Sequence, residues 1–413
     1  KADSYTLINH PWQLDQLSSV KGYEFLGWYD NKNFTGNPVS TVTDNKRDFY
    51  AKFNLVTMYE TYKNNDGSIG SDYYLSYPAI FVLNDEKELQ MPEPGDNISI
   101  LFEATLTEDI DGEVGMIHSI YDNGWKRFSF DYKNIKTSGK KIREVFNFTV
   151  PDNITLSDYL NDYCIIFYYL EEGRNKANTF SDWKYTILDD TDSYKITYKF
   201  GDVSYVARGL KDSDFELAKS ESNFSHLDWR FDNFELLGWY DNPELTGTPV
   251  TSIPAGNTAE KTYYAKFNLR IRGKNMFDDG KNYNYPIDVP LKSVLSGVSF
   301  NPKPGDTISI YFEATFKNDL DGWASVGIVD ATNGGWRSIA GDGRDIKTTN
   351  KKMKEVFSMK INSNETLPTD INNYGFNFCY NPDACDDTNI ISDWKIVLLD
   401  ETNSYNITYN FGD

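Results

Sequence analysis

Hydrophobic and polar positions alternate with a period of two along most of this chain, and the alternation breaks at short runs of Gly, Pro, Asn and Asp. Tyr194-Lys195-Ile196-Thr197-Tyr198 is one such run. Phe234-Glu235-Leu236-Leu237 and Thr262-Tyr263-Tyr264-Ala265-Lys266-Phe267 are two more, separated by the turn residues Asn242-Pro243 and Thr246-Gly247-Thr248-Pro249. Further along, the pattern predicts strands at 97–106, 114–120, 126–130, 144–150, 163–169 and 184–188. Helical periodicity is confined to one short segment, 212–220, with Asp212 or Ser213 as its cap. The fold class expected is all-β.

The pattern also repeats. Gly27-Trp28-Tyr29-Asp30-Asn31 returns as Gly238-Trp239-Tyr240-Asp241-Asn242, and Tyr50-Ala51-Lys52-Phe53-Asn54-Leu55 as Tyr264-Ala265-Lys266-Phe267-Asn268-Leu269. After each short module comes a longer one. Pro94-Gly95-Asp96 matches Pro304-Gly305-Asp306, Glu144-Val145-Phe146 matches Glu355-Val356-Phe357, and Ser181-Asp182-Trp183-Lys184 matches Ser392-Asp393-Trp394-Lys395. The tandem unit is 211 residues long, as 27 to 238 and 181 to 392 both show. One inserted residue near Asn333-Gly334-Gly335 accounts for the shorter spacing of the Pro-Gly-Asp turns. The implied modules are 1–55, 56–192, 193–269 and 270–403. Ser193-Tyr194 to Phe200-Gly201-Asp202 opens the second short module and recurs as Ser404-Tyr405 to Phe411-Gly412-Asp413, so 404–413 reads as the first strand of a further module. Lys1 aligns with Asp212, and the first short module is therefore expected to lack that strand.

Composition narrows the classes. A length of 413 residues suits about two to four domains, and a hydrophobic fraction of 39% is enough to fill their cores. Aromatic residues reach 15%, mostly 29 Tyr and 26 Phe, which suits strands and flat binding faces. With 62 acidic against 41 basic residues the net charge is −21. Such a surface repels phosphate backbones and anionic headgroups, so nucleic acid and membrane surfaces are not expected partners. No apolar run is long enough to span a bilayer. Secretion signals and anchors are expected to be trimmed or to lie outside these residues.

Phe25, Gly27-Trp28-Tyr29-Asp30, Gly36 and Tyr50-Ala51-Lys52-Phe53, with their second copies, resemble the Listeria–Bacteroides repeat of internalin-type surface proteins. That resemblance implies small β-grasp-like modules in a bacterial surface protein, where they act mostly as spacers. The long modules, with Pro-Gly-Asp before an aromatic strand and a closing Ser-Asp-Trp-Lys strand, resemble jelly-roll carbohydrate-binding modules of families 4, 9 and 22. This implies β-sandwiches and a glycan partner.

Sugar rings are recognised by flat aromatic faces beside planar polar groups. The second long module offers Trp323, Trp336, Arg337, Asp342 and Arg344; the first offers Tyr121, Trp125 and Arg127, with Glu113 where Trp323 stands. Trp125 and Trp336 are read either as a ligand face or as core packing, while Trp183, Trp394, Trp28 and Trp239 are read as core. The jelly-roll resemblance further implies a structural calcium ion, with Asp182 and Asp393 as ligands. Cys379 and Cys385 flank a turn and either pin it as a disulfide or stand as thiols; Cys164 reads as a buried thiol.

Only three histidines occur, His10, His118 and His226, and none is shared between copies. A repeated His-based catalytic site is excluded, zinc-ligand spacings and phosphate-cradling loops are missing, and the chain is expected not to be an enzyme. Two functions fit: an extracellular, surface-attached or secreted adhesin-like protein whose sandwiches bind glycan, or a structural stalk assembling head-to-tail through 404–413.

Overall fold

A computed structural model describes residues 5–7, 22–42, 48–63, 69–78, 93–121, 125–150, 163–170, 178–224, 229–271, 287–295, 297–332, 337–381 and 389–404. The chain forms two compact units, residues 1–193 with 207–209, and residues 194–206 with 210–413.

The first unit holds β1 (Tyr5–Thr6), β2 (Tyr23–Tyr29), β3 (Thr41–Val42), β4 (Tyr50–Val56), β5 (Met58–Lys63) and β6 (Ile69–Pro78). It continues with β7 (Asn97–Leu106), β8 (Asp111–Tyr121), β9 (Trp125–Lys136), β10 (Lys141–Thr149), β11 (Tyr163–Leu170) and β12 (Thr179–Ile187). Two antiparallel sheets, ordered β10-β7-β12-β4-β2 and β5-β6-β11-β8-β9, face each other as a sandwich. Alternate residues of each strand point inward, so Phe102, Phe146, Phe148, Phe167 and Phe180 are sealed from solvent. Phe102 meets Phe167 across the sheets at 4.9 Å and stacks on Tyr185 at 4.5 Å. Each such ring contributes about 2–3 kcal/mol by leaving water.

The second unit holds β13 (Ser193–Phe200), β14 (Val203–Leu210, apart from 207–209), β15 (Phe215–Glu216), β16 (Phe234–Tyr240), β17 (Ser252–Ile253), β18 (Lys261–Ile271) and β19 (Ile287–Pro290). After the four-residue helix α1 (Leu291–Val294) come β20 (Thr307–Phe316), β21 (Asp321–Asp330), β22 (Arg337–Lys347), β23 (Lys352–Lys360), β24 (Tyr374–Asn381) and β25 (Asn389–Leu398). Its sheets run β14-β13-β18-β25-β20-β23, with β16 also on β18, and β19-β24-β21-β22. The strand order of the first sandwich is thus repeated, and Phe312 meets Phe376 and Phe378 as Phe102 meets Phe167. The protein is all-β, built on β-sandwiches, and among the described residues no helix is long and apolar enough to cross a membrane.

In each unit the sandwich sheet runs on into the short module. β4 pairs with both β2 and β12, and β18 pairs with β13, β16 and β25. The seam is held by the closing-strand tryptophans. Trp183 Nε1 donates to the Phe53 carbonyl at 3.0 Å, and Trp394 Nε1 to the Phe267 carbonyl at 3.1 Å. Each follows a β-bulge whose extra residue, Asp182 or Asp393, has φ near +47° or +46°. The bulge turns the indole toward the neighbouring strand. Of the four tryptophans expected in the core, Trp239 is buried and donates to the Ala218 carbonyl at 2.7 Å, whereas Trp183, Trp394 and Trp28 are half-buried.

The helix expected at 212–220 does not form. Phe215–Glu216 is extended and pairs with Ser252–Ile253, and Leu217 donates to the Thr251 carbonyl at 2.9 Å. Leu217 is buried by this pairing, and one-turn 3-10 segments follow only at Glu221–Asn223 and Trp229–Asn233. A tertiary partner strand outweighs the local helical preference here.

Candidate functional site

Sheet β19-β24-β21-β22 has an apolar inner side and a different outer side. Inward go Val289, Phe376, Phe378, Ala324, Val326 and Ile328, all fully buried. Strand alternation sends their neighbours outward, and register aligns these into rows. Trp323 stands opposite Asp345; Ser325 lies between Gly343 and Cys379; Gly327 lies between Gly341 and Asn377, and Asn377 pairs in turn with Asp288.

Three of those positions are glycine: Gly341 and Gly343 are exposed and leave bare backbone as the floor of a strip, while Gly327 is buried beside Asn377. A Cβ at Gly343 would overlap the Trp323 indole, so the ring lies down across β22. Its other face is open, and Trp323 is 45% exposed. Cys379 and Asn377 carry the strip onward, the thiol donating to Asn377 Oδ1 at 3.5 Å. Cys379 is a free thiol, its pKa pushed up to about 11 by burial, with Ser325 hydrogen bonding working the other way. Cys385, the other half of the expected disulfide, lies outside the described residues. Asn377 Nδ2 is a buried donor without a hydrogen-bond acceptor among the described residues.

The far end of the strip is closed by the short module. Asn233, from the 3-10 turn Trp229–Asn233, donates to the Asp288 carbonyl at 2.8 Å, and Arg230 reaches the Tyr374 carbonyl at 3.5 Å. Asp288 and Arg230 are both buried against Gly375, where a Cβ would overlap the Asp288 carboxylate. From Trp323 to Val329 the row spans roughly 20 Å at the usual rise per strand residue, and its far part, with Gly327, Asn377 and Val329, is buried.

Of the residues expected from sequence to touch sugar, Trp323 lies on this strip. Asp342 and Arg344 alternate with Gly341 and Gly343 and so project from the opposite side of β22. Asp342 accepts from Arg344 at 2.5 Å and from the Ser358 amide at 2.9 Å, while the Arg344 guanidinium lies 4.9 Å over the Phe357 ring. The first unit repeats this stitch, with Asp131 accepting from the Asn147 amide at 2.8 Å and Lys133 over Phe146. Both pairs therefore close the sandwich edge between β22 and β23, or β9 and β10.

Arg337 sits at the other end of the hairpin, opposite Asp330, roughly 23 Å from Trp323 at strand rise. It donates to Asp330 Oδ2 at 2.8 Å, to Glu365 and to the Thr366 carbonyl at 2.6 Å, which occupies most of its fork. Burial works to raise the Asp330 pKa, but the hydroxyl and amide of Thr332 together with Arg337 hold it below the ordinary value. Trp336 lies outside the described residues. Tyr121, Trp125 and Arg127 take the matching hairpin end in the first unit, where Tyr121 pairs with Trp125 and Arg127 is exposed; the side chains of Tyr121 and Trp125 lie outside the described set. Cys164 lies on β11, its side chain likewise outside that set. Asp182 is an exposed bulge residue 3.9 Å from Lys52 Nζ. Among the described residues no group of three or more His, Cys, Asp or Glu could hold a metal ion.

Sequence reasoning missed Ser325, Gly327, Gly341, Gly343, Asn377 and Asp288. One signal was available: glycines at 341 and 343 inside an alternating run mark a backbone approached closely by something else.

No protein-family model and no curated protein matches this chain. Among solved structures, a family 4 carbohydrate-binding module is similar over 33% of this chain and 88% of its own, at 11% identity and a TM-score of 0.19. The CBM22-1–CBM22-2 tandem of Paenibacillus barcinonensis Xyn10C is similar over 96% and 97%, at 8% identity and 0.20. An α-L-rhamnosidase from Dictyoglumus thermophilum covers 91% of this chain and 44% of its own, at 10% identity and 0.13. Likenesses this faint assign neither ligand nor activity to this chain.

Proposed function

We propose that this is a non-catalytic, extracellular bacterial surface protein that binds carbohydrate on the outer face of a sandwich, with the short modules holding the sandwiches apart. The observation that carries this reading is Trp323, backed by Gly343 and open on its other side at the head of a glycine-floored strip with polar side chains. An indole presented in this way stacks on the flat face of a sugar ring, while Ser325 and the exposed Asp345 offer a donor and acceptors to hydroxyls. Isothermal titration of the full chain against plant, fungal and host glycans tests it. Binding that Trp323→Ala abolishes supports the proposal, and silence across all three groups removes it.

A second reading is head-to-tail assembly, and one observation favours it. β13 lies parallel to β18, pairing Ile196 with Lys261 and Lys199 with Tyr264, and its sequence pattern recurs at 404–413. Residues 405–413 lie outside the described residues. If that segment pairs with the matching edge of another copy, deleting 404–413 shifts sedimentation of concentrated protein toward a single species; an unchanged distribution rejects the idea.

A further inference from the structure

The two sandwiches share a strand plan, so each position of the strip has a counterpart in the first unit at the same register. Gly115 pairs with Tyr132 and Tyr168 as Ser325 pairs with Gly343 and Cys379; Ile117 pairs with Phe130 and Ile166 as Gly327 pairs with Gly341 and Asn377. Glu113 stands for Trp323.

Every floor position of the second strip is therefore occupied in the first. Phe130 and Tyr132 stack at 6.3 Å with 16° between their planes, where the second unit has Gly341 and Gly343. Ile166 replaces Asn377 and removes the buried donor. Tyr168 lies across Gly115, as a Cβ there would overlap its ring, and its hydroxyl reaches Glu113 Oε1 at 3.4 Å. Phe130, Tyr132, Ile166 and Tyr168 are all half-buried, and Ile117 is buried. In both units an aromatic ring covers a strand glycine, but with opposite results. In the second unit Gly341 stays bare and exposed, whereas in the first Phe130 fills the matching place.

Resting on the carbohydrate reading, we infer that the two units are unequal: the second alone takes a neutral glycan chain, one per molecule, and the first has closed the equivalent strip with its own side chains. Gly341 and Gly343 then act as specificity-determining positions, because any side chain there occupies the sugar's path. The net charge of −21 favours an uncharged ligand over a polyanion.

The test titrates the full chain in turn with cellohexaose, xylohexaose and laminarihexaose. One site per chain is expected for whichever probe binds. Gly341→Phe with Gly343→Tyr, which copies the first unit into the second, is expected to weaken binding at least about 30-fold, equivalent to about 2 kcal/mol. Tyr132→Ala in the first unit is expected to change affinity less than twofold. If the double variant does not fold, Trp323→Glu, the residue found at 113, replaces it with the same expected loss. Two equivalent sites, or a loss from Tyr132→Ala matching that from the strip variants, would overturn the inference while leaving the carbohydrate reading intact. No binding of any probe, with silence from the wider glycan groups, sinks both.

Discussion

Set side by side, the outer faces of β8-β9-β11 and β21-β22-β24 show how differently two sandwiches of the same strand order and register can present themselves. Strand order and pairing register correspond, and the inward residues stay mostly apolar, with Phe102 matched by Phe312 and the bulge at Asp182 by that at Asp393. The outward residues do not correspond: Ile117, Phe130, Tyr132 and Ile166 stand against Gly327, Gly341, Gly343 and Asn377. An inward change opens a cavity or strains the core, whereas an outward change alters only what the sheet presents to solvent. Divergence of this kind is therefore free to change function while stability is preserved.

The comparison is broken most forcefully through the core. Phe102→Ala and Phe312→Ala should each destabilise their own unit by about 3–5 kcal/mol, and by similar amounts, as read from denaturant unfolding of each variant. A large inequality would mean that the sandwiches do not share a core plan.

Among the inward positions that differ, one separates the units by pH. His118, stacked on Phe148 at 3.9 Å, has its pKa lowered to about 3 by burial, and the second unit has Ile328 at the matching place. The folded value lies below the unfolded one of about 6.5, so an unfolded chain takes the proton first. As pH falls from 6.5 toward 3 this group should cost the first unit up to about 1.4 kcal/mol per unit of pH, with no effect above 6.5. Asp131, whose pKa burial raises, acts in the opposite direction. Comparing wild type with His118→Ile by thermal melting at pH 7 and pH 4 isolates the histidine: the variant should narrow the acid loss, and an equal loss in both proteins would refute the assignment.

Smaller effects sharpen the likeness. Trp183→Phe and Trp394→Phe should each cost about 1–2 kcal/mol by orphaning the Phe53 or Phe267 carbonyl. Unequal melting shifts would show that the two seams differ. Asp182→Gly and Asp393→Gly remove the left-handed strain and should stabilise by up to about 1 kcal/mol each. A loss of stability on either change would show that the carboxylate does more than occupy a bulge.

Much of the fold was legible because alternation reports directly on which side of a sheet a residue faces. Thr307–Phe316, for example, buries every second residue from Ile308 to Phe316. The failure at 212–220 came from a partner strand nearly 40 residues away, which local propensity does not contain. The site was legible only at Trp323, as an aromatic after a turn. Gly341, Gly343 and Asn377 belong to other strands and meet Trp323 and Ser325 only through register. The same limit hid the orientation of Asp342 and Arg344, since the side they share relative to Trp323 is set by the pairing of β21 with β22.

The use of one strand by two modules has a consequence for cleavage and recoil. β18 runs through position 269, where the repeat pattern divides the short module from the long one, so a protease finds hydrogen-bonded backbone there instead of a hinge. Removing the short module would cut β18 short and strip the Leu269 rung from β25, and the two are expected to melt as a single cooperative block.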